Sequence, residues 1–244
     1  MTRWDLSESY GLVEKAFGRD QLALTRPCFS SIVDRQHFAD YHYKESLRLA
    51  NTFKRNYLAS NRLFDLHRGD NAKMRDAFEI CMIKTGAHVT ACVSSIHAIP
   101  DIVANGVYFA VGLNLSTCPL DDHRVSIANV LAIPKLDERM PDITTLLRKL
   151  TAGSAYSHIS ALSNLGKHRS IVRAGLNEDC TGDRQELHEL HFAFFQRGKT
   201  QFPGVSVSSL VKPEYERMFG VVVEIGHALN TFLRTIPPLK MAKH

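Results

Sequence analysis

Lys167, His168, Arg169 and Arg173, all within the stretch SNLGKHRSIVR, are the residues whose types and spacing come nearest to chemistry. Arg and Lys can hold a phosphate, and His can move a proton near neutral pH. Asn164 stands four residues before His168, so on a helix those two side chains share a face. A second histidine, His158, does not extend the site. Ten residues at a rise of about 1.5 Å put it roughly 15 Å from His168 along the axis, too far for an acid and a base to act on one phosphate. The same cations also suit a helix C-terminus, where each contributes about 0.3–1 kcal/mol against the macrodipole. Arg148 and Lys149 would join them in one basic patch if the last turns of their helices align.

The other histidines read more plainly. His88 lies on an apolar stripe with Cys81 and Cys92, and a hydrogen-bonded core histidine is the expectation over a metal ligand. His97 and Asp101 are four apart, so the carboxylate could orient the ring, although Pro100 lies between them. In ELHELH a strand would send His188 and His191 to opposite faces, so they cannot chelate one ion, and cross-strand ion pairing is expected. Asp121, Asp122 and His123 form a charged loop. No metal site and no cofactor is expected: the chain has no G-x-G-x-x-G, no Walker loop, no G-x-S-x-G and no H-E-x-x-H.

These residues must be positioned by a mainly α fold. The 244 residues, 44% hydrophobic and 23% charged, are enough for a packed core. A net charge of +5 favours polyanionic partners over cationic ones. Five widely spaced cysteines without a C-x-x-C read as small hydrophobes in a reducing cytosol. No apolar leader opens the sequence and the stretch 99–115 is broken by polar residues, so a cytoplasmic protein outside the membrane is expected.

Periodicity predicts a short helical piece near 11–17, a loop at TRPCFSS, and a helix from about 36 to 61. A turn at Gly69 and Asp70 should precede a helix over 73–99, which Pro100 kinks or breaks. MPDITTLLRKLTAG and SAYSHISALSNLGKH read as two further helices, with Pro141 and Ser154 at their starts. From about 170 to 211 the texture is β-like, with RGKTQFPG as a turn and VSVSSLV as a strand. A last helix runs from about Pro213 to Thr235. The expected architecture is one domain over 1–244, an antiparallel helical bundle (36–168 plus 213–235) with a small antiparallel β insertion at 170–211.

An N-x-x-K-H-R element closing a bundle helix, here Asn164, Lys167, His168 and Arg169, resembles a diffuse group of uncharacterised bacterial proteins. More distantly, the bundle is similar to the HEPN superfamily, many members of which cut RNA without a metal. That superfamily's motif is an Arg, then a polar residue, then a His on one helix. Arg62 and His67 match the spacing, with Leu63 in the polar place, while in KHR the Arg follows the His.

Three functional expectations result. The first is a binding module for RNA or a protein partner, working through Asn164, Lys167 and Arg173 and the cations beside them, in a chain able to form a homodimer. The alternative, implied by the HEPN resemblance, is a metal-independent endoribonuclease. In it His168, or His67, is the acid/base, and Arg169 or Arg62 stabilises the phosphorane. The third is a structural clasp in which Asn164 and His168 tie the helix end to the β insertion.

Overall fold

The computed structural model describes residues 3–59, 62–68, 71–182 and 186–239. The turn expected at Gly69 and Asp70 lies outside them. The described helices are α1 (Leu6–Phe17), α2 (Arg19–Tyr57), α3 (Asp65–Arg68), α4 (Ala72–Ala110), α5 (Ile127–Leu131), α6 (Pro134–Arg139), α7 (Pro141–Leu150), α8 (Ser154–His168) and, after the strands, α9 (Val207–Arg234). Between α8 and α9 lie β1 (Ala174–Glu178), β2 (His188–Phe192), β3 (Phe195–Arg197), β4 (Thr200–Phe202) and β5 (Val205–Ser206). The fold is mainly α with a small antiparallel β segment. β2 is the centre of a three-stranded sheet, order β1-β2-β5, and β3-β4 is a separate hairpin.

Residue contacts group the chain into two compact units. One comprises Met1–Gln36, Ala98–Gly153 and Glu216–His244, the other His37–His97 and Ser154–Tyr215. The sequence expectation is one domain. No Pro/Gly/Ser-rich linker marks the division, because three of its four boundaries fall inside α2, α4 and α9.

In the first unit small residues admit large ones. Trp4 packs edge-on against Phe29, with ring centroids 4.9 Å apart, and its Nε1–H donates to Ser9 Oγ at 2.9 Å. Gly106 lies under Phe29 and Gly226 under Trp4, where any Cβ would overlap the ring. Asn230 holds the chain start through Asp5 O and Glu8, at 3.1 Å each. In the second unit α2 and α4 run antiparallel. His42 meets His88, Phe53 meets Phe78, and Cys92 Sγ donates to Ala39 O at 3.3 Å. Burial pushes the Cys92 thiol up to about 12, so at neutral pH it is an inert core group.

Three local expectations are corrected, and a fourth, at Pro100, loses its alternative of a break. TRPCFSS is not a loop, for α2 passes through Pro27, and α4 passes through Pro100 without a break. An interior proline costs a helix about 3 kcal/mol. Burying a large apolar side chain is worth about 1.5–3 kcal/mol. Leu22, Phe29 and Ile32 beside Pro27, and Ile96, Ile99 and Val103 beside Pro100, are all buried and together outweigh that loss. RGKTQFPG is not only a turn: it holds the end of β3 and all of β4, with Gly198 in the left-handed region at φ 61°. VSVSSLV contributes two residues to β5 and then begins α9, which places Pro213 inside that helix. Val207, Leu210, Val211, Met218, Val222 and Ile225 are buried at helical spacing, and that burial selects helix over strand.

Among the described residues α4 is the one helix long and apolar enough to cross a membrane, and half of its most apolar window is buried within the protein.

Candidate functional site

α8 begins just after Gly153, which takes φ 95°. It ends where the N–H groups of Arg169 and Ser170 both return to Leu165 O, at 2.9 and 3.0 Å. Its buried face is His158, Ile159, Ala161, Leu162, Ser163 and Leu165. The other edge carries Tyr156, Ser160, Asn164 and Lys167, spaced by four, four and three residues, and this stripe meets His97 of α4. The imidazole lies nearly parallel to the Tyr156 ring, 6.3 Å away at 11°. Its Nε2 is 3.4 Å from Ser160 Oγ and 3.5 Å from Asn164 Nδ2, and its Nδ1 is 3.4 Å from Lys167 Nζ. A lysine ammonium only donates, so Nδ1 accepts from Lys167 and Nε2–H faces Ser160 Oγ, which leaves the Asn164 amide N–H no acceptor on the ring. Asn164 Nδ2 also donates to Ser160 O at 2.8 Å.

The predicted residues therefore part company. Lys167 engages His97, and Asn164 bonds Ser160 beside it. The side chains of His168, Arg169 and Arg173 are exposed and have no hydrogen bond or ion pair among the described residues. The clasp by which Asn164 and His168 would tie the helix end to the β insertion is corrected by this geometry: Asn164 turns back onto Ser160, while His168 lies open at the last turn. Asp101 accepts from the Ile127 N–H at 2.9 Å through Oδ1. Arg148 is held by Asp137 at 2.7 Å, and both Arg148 and Lys149 belong to the first unit.

Arg62 is spent on Glu178 at 2.8 Å, and the Leu63 N–H donates to the same carboxylate at 2.6 Å. Burial pushes Glu178 up, but hydrogen bonds from Arg62, Leu63 and His188 outweigh it and hold the group below the usual carboxylate range. His188 is directly opposite Glu178 across the strand pair, and His191 bonds Glu189 on the other face at 3.1 Å. The side chain of His67 lies outside what the structure describes. His88 is half-buried and hydrogen-bonded, Nδ1 to Nδ1 of His42 at 2.8 Å. No group of three His, Cys, Asp or Glu able to hold a metal occurs among the described residues.

The basic edge continues past α8. Arg173 O accepts from Ala193 N–H at 3.4 Å, and the next residue, Phe194, is 60% exposed. Ile171 is equally open. This unit carries sixteen Lys and Arg against twelve Asp and Glu, a formal +4, while the other carries fourteen against thirteen. Behind the edge, between α4, α8 and β2, is a cavity of about 100 Å³ reached by Ser94, Ser163 and Lys167.

His158 is 7% exposed, packed edge-on against Phe195 and tilted against Phe202, with no partner for Nε2. Burial holds it below its ordinary pKa. The unfolded chain therefore takes up a proton that the folded chain refuses. Stability is full above the unfolded pKa of about 6.5 and is lost as pH falls from there through the lower folded value. His42 shifts the same way, through burial and then His88. Thermal melts at about pH 7.5 and about pH 5.5 should show a lower midpoint in acid, and His158→Leu should shrink that gap. An unchanged gap would remove His158 as its source.

The polar stripe at 156, 160, 164 and 167 is written in the sequence at helical spacing, yet the sequence pairs Asn164 with His168. The missing signal was the partner, His97, in another helix. Comparison of the chain with family models, with curated proteins and with solved structures finds no match.

Proposed function

We propose that the protein binds single-stranded RNA along the edge running from Lys167 to Phe194. Arg169 and Arg173, with Lys167, meet phosphates, and Phe194 offers a face on which a base stacks. The observation that carries this reading is that the side chains of His168, Arg169 and Arg173 are exposed without partners among the described residues. By contrast Arg48, Arg62, Arg148 and Arg234 are each held by a carboxylate. Cations collect at the end of α8 because the helix dipole favours them there. Left unpaired, Arg169 and Arg173 exceed the half charge of the dipole and present net positive potential. Cations beside an exposed aromatic are the combination that binds single strands without sequence preference.

The test is a titration of labelled oligouridylate by fluorescence anisotropy. Saturable binding that weakens with salt supports the reading. Absence of binding refutes it. A protein partner would use Ile171 and Phe194 as apolar contacts and would hold in high salt, which separates the two. The nuclease alternative requires RNA cleavage in EDTA that His168→Ala abolishes without loss of folding.

A further inference from the structure

In the second unit α2 and α4 face each other through two imidazoles. Nδ1 of His42 is 2.8 Å from Nδ1 of His88, and the ring centroids are 5.1 Å apart. That centroid distance is close to the nitrogen contact plus the two ring radii, so the nitrogens point at each other head-on. Neither ring makes another hydrogen bond among the described residues, and both are half-buried.

Two nitrogens set this way hold one proton between them: one donates and the other must accept. A neutral pair keeps the bridge. So does a pair with one added proton, whose imidazolium donates to the neutral ring in a charge-assisted bond. A second added proton removes the acceptor and sets two positive charges face to face. Titration then belongs to the pair, in two separated steps.

The surroundings decide which ring stays neutral. On α2 the Arg48 hydrogen bonds hold the Glu45 carboxylate below the usual range, and His88 adds to the effect. Glu45 thus favours the charge on His88. Burial, then His88, holds His42 below its ordinary pKa. Asp40 is held by Lys44 at 2.7 Å, and Tyr41 lies edge-on to both imidazoles, 5.2 and 6.0 Å away. On α4, Lys84 stands one turn before His88 and the inert thiol of Cys92 one turn after. On α9 the Tyr215 phenol is pushed up by burial, then by Asp40 and Cys92. Both α2 carboxylates therefore already carry a cation when a second proton arrives. The unfolded chain, its histidines near about 6.5, takes up that proton first. The bridge stabilises above that pH and is lost as pH falls from there through the lower value of the folded pair.

We propose that His42 and His88 form an acid-triggered latch: a single proton bridges α2 to α4, and a second drives the rings apart and opens the two helices locally. Contacts on either side bound the opening, Cys92 to Ala39 in one direction and Phe53 to Phe78 in the other.

The experiment follows histidine ring resonances and amide exchange by NMR, from about pH 8 to about pH 5. It uses the full chain, unaltered and as His158→Leu, which removes the other buried histidine from the titration. His42 should titrate at least about one pH unit below His88, and His88→Gln should raise the His42 midpoint by a similar amount. Between about pH 7 and about pH 5, amides beside His42 and His88 should lose at least about tenfold of their protection, corrected for intrinsic exchange. Those beside Phe53 and Phe78 should keep theirs. His42→Gln stays polar but takes no proton, so it should show no such loss. Equal, independent midpoints would overturn the proposal. So would protection indifferent to pH, an equal loss in His42→Gln, a loss that vanishes in His158→Leu, or a loss shared by the whole unit.

Discussion

Gly226→Ala is expected to destabilise the protein by about 1–3 kcal/mol, although alanine is the better helix former. Gly226 lies inside α9, where replacing Gly by Ala should add up to about 1 kcal/mol of helix propensity. The new Cβ would overlap Cγ and Cδ2 of the Trp4 indole. Trp4 cannot simply swing aside. It is 8% exposed, packed on Phe29, and bonded through Nε1 to Ser9, which in turn bonds Asn230 at 2.5 Å. Gly86→Ala is the internal control. Gly86 is also inside a helix, and a Cβ there meets nothing within 4 Å, so that change should stabilise. Urea unfolding of the two variants should move in opposite directions, and a stabilised Gly226→Ala would show that Trp4 is not seated as described.

The double substitution Arg169→Glu with Arg173→Glu should weaken oligouridylate binding by at least about tenfold without lowering the melting temperature. Both side chains are exposed, and neither has an intramolecular partner to lose. Surface changes of that kind usually stay within about 0.5 kcal/mol of the original stability. The function loses two phosphate contacts and gains two like charges facing the strand. The salt slope should fall with them, from about −2 to about −0.7, since each phosphate contact on a single strand contributes about −0.7. A double variant with unchanged affinity and slope would place the RNA elsewhere.

What was legible in the sequence was whatever local chemistry decides. Pro141 starts α7 and α8 runs Ser154–His168 as read, because starts, stops and apolar spacing lie within a few residues of each other. The prolines misled because their cost is local and their compensation is not. Phe29 and Ile99 repay it by burial, which no window of a few residues reveals. VSVSSLV alternates well enough for a strand, and only the buried face of α9 shows that it turns helical after Ser206. The site divides in the same way. The cations at 167–173 were visible as a cluster. The pairing of Lys167 with His97 was not, because it joins residues 70 positions apart. The unpartnered hydroxyl of buried Ser163 was invisible too, since whether a serine bonds its own helix is decided by geometry.

The most direct test of the central claim is the affinity of the unaltered protein for oligouridylate at about 50 mM and about 200 mM salt. Three phosphate contacts, from Lys167, Arg169 and Arg173, predict a loss of about 20-fold between the two conditions. Binding of equal strength at both salts, or none at the lower one, would contradict the account.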